Sequence, residues 1–347
     1  MTFTVSHNQL SKALDIALKA DIVPFITSSP AMGKSSLVRK IAEDNNLELI
    51  DLRLAQLQPF DLAGLVNPNK EEGNFSYLPL DEFPLENTPL PKGKQGFMIF
   101  LDEFNSADKY TAAAAYKLLL DRMIGKHKLH PNTRIVCAGN KLTDGAITHK
   151  LGTAIQSRVT HLELEINLKE WLEWCEKESN FHPIIHPFLS FRPELINNFD
   201  PKKEVITYSS PRTWELLSKQ LKAGLLSLDR DDYVPIIMGT IGEHAGGEFI
   251  AFLEVFSKLP SIRDIETNPL VCSMPEEIGA KWALGVHLAD KINQANEQAV
   301  VDYLERMGES DIKVVVYRTL SKVYPNIKLN PTLQKSMKAL RNQMVQP

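Results

Sequence analysis

Short apolar runs alternate with helical patterns over roughly the first half of the chain. Continuous runs of this kind are typical of strands buried on both faces of a sheet. An amphipathic helix is predicted over 10–20, and an alanine-rich segment over 110–123 is a strong helix former. The predicted strands are Ile22 to Thr27, Phe97 to Leu101, Arg134 to Ala138 and Val159 to Leu164. This alternation predicts an α/β fold with a mainly parallel sheet and crossover helices.

Strand signals fade after about residue 167, and helical patterns replace them. Prolines near 260–275 separate two helical parts. We therefore predict three segments: an α/β core over 1–167, a helical domain over 168–258, and a helical C-terminal extension over 259–347 whose role the sequence does not indicate. Within the last segment, helices are predicted over 276–289, 297–307 and 333–344.

The segment that follows the first predicted strand has the composition of a phosphate-binding loop. Its candidate binding residues are Ser29, Pro30, Ala31, Met32, Gly33, Lys34, Ser35 and Ser36. Backbone N–H groups of such a loop converge on an anion, and the following helix presents the positive end of its dipole. Lys34 would add a charge at the β- and γ-phosphates, and the hydroxyl of Ser35 would bind Mg²⁺.

One position departs from the usual pattern, because Ser28 stands where a glycine is expected. A side chain there is costly if the position requires a positive φ or close approach of a phosphate. The alternative interpretation of the whole segment is an ordinary surface turn that contains Gly-Lys-Ser.

Asp102 and Glu103 follow the most apolar predicted strand. Ligands of open α/β sheets bind at the carboxyl ends of strands. There Asp102 would hold Mg²⁺, directly or through water, and Glu103 would orient and activate the water that attacks the γ-phosphate. The alternative is that the pair only caps the next helix.

Three further polar residues fit the same site. Asn140 follows Gly139 at a strand end and could hydrogen-bond the attacking water, although it could equally be a turn residue. Arg158 could reach a phosphate of a neighbouring subunit or pair with a surface acid. Arg212 lies in the first turn of a helix that Ser210 and Pro211 begin, where a cation is mildly unfavourable unless an anion compensates it.

Taken in order, these motifs resemble those of AAA+ ATPases. The surrounding segments are similar to the MoxR branch: Asp61-Leu62-Ala63-Gly64, Phe75-Ser76-Tyr77, Leu118 to Arg122, Ala138 to Lys141, and Ser210 to Glu215. The resemblance covers about residues 10–225. It implies that Gly33, Lys34 and Ser35 form the Walker A core, Asp102 and Glu103 Walker B, Asn140 sensor 1, Arg158 the arginine finger in trans, and Arg212 sensor 2.

The resemblance also implies partners and accessory elements. Such ATPases bind ATP with Mg²⁺ and act as homo-oligomeric rings, usually hexamers. In the MoxR branch the client is often a protein with a von Willebrand A domain. The branch carries β-hairpins that face the ring's pore or upper surface, which we predict over Val66 to Tyr77 and over Met123 to Leu129 with a turn at Gly125. The segment 168–258 would then be the lid of the nucleotide-binding core.

Net charge and cysteine content restrict the partners and the cellular compartment that we expect. The net charge of −4 with a pI near 6.2 gives no overall basic field for a polyanion. Basic residues at 117–130 keep a nucleic-acid partner open, although a solvated face is the simpler interpretation. Three unpaired cysteines, no leader pattern and no run of 18 apolar residues suggest a cytoplasmic chain without membrane insertion.

We therefore expect a ring-forming, Mg-ATP-dependent ATPase that remodels or activates a protein partner. One alternative is a nucleic-acid-directed AAA+ motor subunit, for which the basic segment is the only support. The other is a nucleotide-gated scaffold with little turnover, which the Ser28 departure motivates.

Overall fold

The computed structural model describes residues 4–144, 148–177, 181–256, 258–289 and 291–343. The chain divides into two compact units. The first consists of Met1–Trp174 with Asp200–Glu204, and the second of Cys175–Phe199 with Val205–Pro347. The predicted three-part division stays a prediction.

The first unit contains all the described strands and the first helices. The strands are β1 (Thr4–Val5), β2 (Val23–Ser28), β3 (Leu47–Arg53), β4 (Leu65–Asn69), β5 (Asn74–Leu78), β6 (Gly96–Asp102), β7 (Met123–Ile124), β8 (His127–Lys128), β9 (Thr133–Asn140) and β10 (Val159–Leu164). The helices are α1 (His7–Lys19), α2 (Lys34–Asp44), α3 (Pro59–Ala63), α4 (Lys109–Asp121) and α5 (Thr153–Gln156), and α6 (Leu168–Lys177) begins in this unit.

Six strands form one parallel sheet in the order β1-β10-β2-β9-β6-β3. Helices connect them, as parallel strands require. In sequence, β3 follows β2, the strand that leads into the predicted phosphate-binding loop, but in the sheet it lies at the edge, two positions away from β2. The chain later returns to fill those two positions with β6 and β9. The predicted fold class, a mainly parallel α/β core followed by a helical region, is confirmed.

The buried strand β6 shows why its sequence is apolar without interruption. Met98 and Phe100 pack into a core layer that contains residues of α1 and α2. Ile99 and Leu101 point to the opposite layer, which contains residues of α4. Because successive side chains of a strand alternate between faces, helices on both faces require an apolar residue at every position.

Both predicted hairpins are present. Strands β4 and β5 pair antiparallel, and β7 and β8 form the shorter hairpin, which turns at Gly125 with a φ of 55°. The predicted helix over 110–123 ends earlier, at Asp121, because Arg122 adopts a left-handed φ of 56° and the chain enters β7. The two hairpins touch, since the His127 ring is 3.1 Å from the Tyr77 carbonyl oxygen.

The described part of the second unit contains helices and connecting loops but no strands. Its helices are α7 (Ile185–Phe191), α8 (Pro211–Lys222), α9 (Arg230–Ile241), α10 (Glu243–Phe256), α11 (Ile262–Thr267), α12 (Ile278–Ala289), α13 (Glu297–Glu305), α14 (Ser310–Val323) and α15 (Pro331–Gln343). Rings of Phe188, Trp214 and Phe249 pack together between α7, α8 and α10. A second core joins α12, α13 and α14. Across the described ranges, no helix combines the length and apolarity that a membrane span needs.

Candidate nucleotide-binding site

Three neighbouring strands end at one edge of the sheet, and each carries a residue of the predicted motifs there. Ser28, the last residue of β2, lies opposite Asn140, the last residue of β9. Asp102 ends β6, which is the next strand beyond β9. The sheet order therefore brings together motifs that lie up to about a hundred residues apart in the sequence, as the sequence predicts.

The loop between β2 and α2 makes a tight turn. Two of its residues have left-handed backbone, Ala31 with a φ of 62° and Gly33 with a φ of 86°. Gly33 directly precedes α2, so Lys34, Ser35 and Ser36 form the first turn of that helix. Glycine adopts a positive φ without penalty, which explains why Gly33 stands at this point. The loop therefore leads into the positive end of an eleven-residue helix, a favourable position for an anion.

Lys34 is buried at this edge and connects two of the strand ends. Its Nζ donates hydrogen bonds to the Ser28 hydroxyl at 2.8 Å and to the Asn140 side-chain oxygen at 3.3 Å. Lys34 as a whole is only 8% exposed, so these polar partners offset the water that its ammonium group loses on burial. The structure thus places the predicted cation and the predicted amide in direct contact.

Ser28 occupies its position without backbone strain. It continues the extended strand β2, and it is not among the described residues with a positive φ. Its buried hydroxyl donates to the Ser29 carbonyl oxygen at 2.7 Å and accepts from Lys34. The cost expected if this position needed a left-handed backbone therefore does not arise.

Ser35 and Asp102 form the second polar contact of the site. The Ser35 hydroxyl donates to a carboxylate oxygen of Asp102 at 2.9 Å. A hydroxyl beside a carboxylate is a set of hard oxygen ligands, which suits Mg²⁺ because this ion keeps several waters and takes few protein ligands. The donor set of these two side chains therefore fits the predicted metal.

Glu103 adopts an unusual backbone conformation. Its φ of 55° lies in the left-handed region, and its N–H donates to the carboxylate of Asp102 at 2.8 Å. Left-handed backbone in a residue other than glycine, asparagine or aspartate is uncommon and often marks a functional turn. Glu103 directly precedes a short 3-10 helix, Phe104–Ser106, but its side chain makes no capping hydrogen bond to it. The following helix α4 is capped by Asp108, which accepts from the N–H groups of Tyr110 and Thr111, so neither Asp102 nor Glu103 serves as a side-chain cap of these two helices.

Sequence reasoning missed Asn105, which supports Asn140. Its side-chain amide donates to the Asn140 carbonyl oxygen at 2.7 Å, and its side-chain oxygen accepts from the Asn140 N–H at 3.0 Å. Gly139 leaves the room for this pairing, since a Cβ on it would lie 2.3 Å from the Asn105 oxygen. The one available signal was the asparagine two residues after Glu103, and a single asparagine is too common to have been informative.

Sequence reasoning also missed His7, the first residue of α1. Its Nε2 lies 2.9 Å from the carbonyl oxygen of Met32, inside the phosphate-type loop. Burial lowers the pKa of His7, against opposing effects of the Met32 hydrogen bond and of Glu170. The neutral ring with its proton on Nε2 can donate to Met32 and so hold the loop from the side of α1.

The two predicted arginines lie apart from these contacts. Arg158 is exposed, donates to the Ala154 carbonyl oxygen at 2.9 Å, and precedes β10. The next residue, Val159, pairs with Val23, at the opposite end of β2 from Ser28. The two ends of β2 are five residue steps apart, about 16 Å. Arg158 therefore lies near the end of the strands that is opposite to the end with Ser28 and Asn140.

Arg212 belongs to the second unit. It lies exposed in the first turn of α8, which begins with the predicted Ser210 cap and Pro211. Its predicted role toward a nucleotide stays a prediction.

Comparison with known proteins gives structural neighbours only. The sequence matches no protein-family model and no curated protein. One similar structure is that of a candidate ATPase from Cytophaga hutchinsonii, at 15% identity, covering 98% of this chain and 90% of that one, with a TM-score of 0.38. NtrX from Brucella abortus in complex with ADP is similar at 14% identity, 96% and 68% coverage and a TM-score of 0.40. A mutant of RuvB from Thermotoga maritima is similar at 17% identity, 93% and 87% coverage and a TM-score of 0.33.

Proposed function

We propose that this chain is a Mg-ATP-dependent ATPase of the AAA+ class that belongs to its MoxR-like branch. One observation supports this above all others. Lys34, Asn140 and the Ser35–Asp102 pair meet where three adjacent parallel strands end. A surface turn containing Gly-Lys-Ser would have no reason to contact two other strand ends.

Each residue has a defined task in this proposal. The loop N–H groups and Lys34 bind the phosphates, while Ser35 and Asp102 hold Mg²⁺. When bound, Mg²⁺ neutralises charge on the phosphate oxygens. Glu103 accepts a hydrogen bond from the attacking water and orients it, and Asn140 hydrogen-bonds that water or the γ-phosphate.

Arg158 is proposed to act on the site of a neighbouring subunit. It is exposed near the end of β2 that is opposite to Ser28, so its side chain cannot reach the nucleotide site of its own subunit. A trans-acting arginine requires a homo-oligomeric ring, for which a hexamer is the expected size. An arginine finger contributes about 10³ to 10⁵ in rate, so hydrolysis should depend on assembly.

The proposed work of the ring is remodelling or activation of a protein client, for which a von Willebrand A domain protein is the first candidate. Apolar side chains on the longer hairpin support a protein client. Leu65, Val66, Phe75 and Leu78 are each more than half exposed there. Exposed apolar clusters of this kind mark contact surfaces for other proteins more often than for nucleic acid.

The decisive experiment measures binding of a fluorescent ATP analogue with and without Mg²⁺. Wild type should bind with magnesium dependence, and Lys34→Ala should lose at least tenfold in affinity. Lys40→Ala is the matched control, since Lys40 is an exposed lysine on the same helix α2. Equal affinity of all three proteins would refute the proposed site.

Assembly is tested by mixing Arg158→Ala subunits with Glu103→Gln subunits. Mixed interfaces would contain every catalytic group, so the mixture should recover activity that each variant lacks alone. Full activity of Arg158→Ala by itself would reduce this arginine to a surface group.

Measured rates of ATP hydrolysis distinguish two other functions from the proposed one. A nucleotide-gated scaffold would bind ATP but hydrolyse it no faster than Lys34→Ala does. A nucleic-acid-directed motor would hydrolyse faster with DNA or RNA than with a co-purifying protein. The exposed basic side chains Lys126 and Lys128 on and beside the short hairpin are the observation that keeps this last function under test.

A further inference from the structure

The second unit contains a cavity of about 650 Å³ that the nucleotide site does not use. It lies among helices α7, α14 and α15 and the short turn before α15. Its apolar wall includes Val315, Leu333 and Met337, and its polar residues include His186, Arg318 and Lys328. Its volume lies in the range of about 300 to 1,000 Å³ that is typical of binding sites.

Two cations stand at this cavity without a compensating acid. Arg318 and Lys328 are exposed, and neither side chain forms an ion pair with any residue in the described ranges. Lys313, on the same helix as Arg318, differs because it is bound to Glu305. The cations at the cavity are therefore available to a partner, whereas the neighbouring lysine is not.

The charge of the surrounding sequence points the same way. From residue 312 to 347 the chain has seven lysines and arginines and no aspartate or glutamate, although its overall net charge is −4. This segment contains α15 and all of α14 except its first two residues, of which Asp311 is acidic, so positive charge is concentrated along these two helices of the cavity. Such an asymmetry favours an acidic partner and repels a basic one.

We propose that this cavity binds an acidic peptide segment of another protein, with an apolar side chain inserted against Val315, Leu333 and Met337 and flanking carboxylates on Arg318 and Lys328. Peptide recognition commonly combines an apolar anchor with charged contacts at the rim. A nucleic acid fits less well, because single strands need exposed aromatic rings for stacking, and the lining Tyr317 is 1% exposed with its hydroxyl bound to Glu305. The peptide-binding proposal does not rest on the proposed ATPase activity.

The test selects peptides from a random dodecapeptide library on the full-length chain and measures the strongest one by fluorescence anisotropy. Enriched peptides should carry Asp or Glu beside Leu, Met or Phe. The double variant Arg318→Glu/Lys328→Glu should lose at least tenfold in affinity, and binding should weaken as salt rises. The matched control Arg263→Glu/Lys291→Glu reverses an exposed arginine and an exposed lysine of the same unit outside the cavity, and should stay within twofold of wild type.

Several results would overturn the proposal. Selection without acidic enrichment would do so, as would equal loss of peptide binding in both double variants. Displacement of the peptide by a single-stranded dT oligonucleotide or by oleate, with either ligand binding tighter than the peptide, would reassign the cavity to that ligand. Far-UV circular dichroism of each variant confirms that the fold is retained before binding is compared.

Discussion

Replacing Asn105 with alanine should impair both stability and catalysis, because the Asn105 side chain forms hydrogen bonds to the backbone of Asn140. Asn105 is 6% exposed, and its amide pairs with both the carbonyl oxygen and the N–H of Asn140 at 2.7 and 3.0 Å. The substitution leaves two backbone groups without these partners. Each buried group that loses its hydrogen bond costs about 1 to 3 kcal/mol, so the two groups together predict a loss of about 2 to 6 kcal/mol, with the lower figure if water enters the space.

Urea unfolding followed by tryptophan fluorescence measures the stability, and steady-state ATP hydrolysis measures the site. We expect kcat to fall more than KM changes, because in the proposed mechanism Asn140 acts on the reacting groups while Lys34 and the loop bind the phosphates. Ser106→Ala, one residue further along the chain, serves as the control. An Asn105→Ala protein with an unfolding free energy within about 0.5 kcal/mol of wild type and an unchanged kcat would refute this reasoning.

Three further predictions concern the same unit. Burial lowers the pKa of His7, so protonation of its ring favours the unfolded chain, and the unfolding free energy should fall as the pH drops below about 6.5. His7→Gln should flatten this pH dependence. Equal pH profiles of the two proteins would contradict the prediction. Gly139→Ala should lower the unfolding free energy by about 1 to 3 kcal/mol, since its Cβ would meet the Asn105 oxygen at 2.3 Å; an unchanged urea midpoint would disprove this. Burial raises the pKa of Cys137, so native protein should leave this thiol unmodified by Ellman's reagent until it is unfolded, and rapid labelling of Cys137 located by mass spectrometry would contradict the buried position.

The sequence predicts the parts of this molecule in which local pattern and chemistry coincide. Strands β6 and β9 are identifiable because burial on both faces leaves few polar positions, whereas the edge strand β3, which carries Glu48 and Asp51, was missed. Lys34 is identifiable because its loop motif follows β2, and Asp102 because it ends the apolar strand β6. Asn105 and His7 escape prediction, since their importance depends on which backbone they face after folding. Helix α14 was missed as well. Its run from 314 to 316 consists of valines, which favour strands, and only packing against α12 and α13 makes it helical.

The role of Ser28 bears on whether the chain is an enzyme or a scaffold. Its replacement of glycine suggested a weakened loop, but the residue has extended backbone, and its hydroxyl accepts a hydrogen bond from Lys34 at 2.8 Å. That bond is between a cation and a neutral oxygen. A phosphate oxygen is also charged, so its bond to the ammonium group adds the attraction of opposite charges and can take a share of the same donors. Ser28 therefore positions Lys34 without outcompeting a phosphate, and the departure from glycine no longer favours a scaffold over an ATPase.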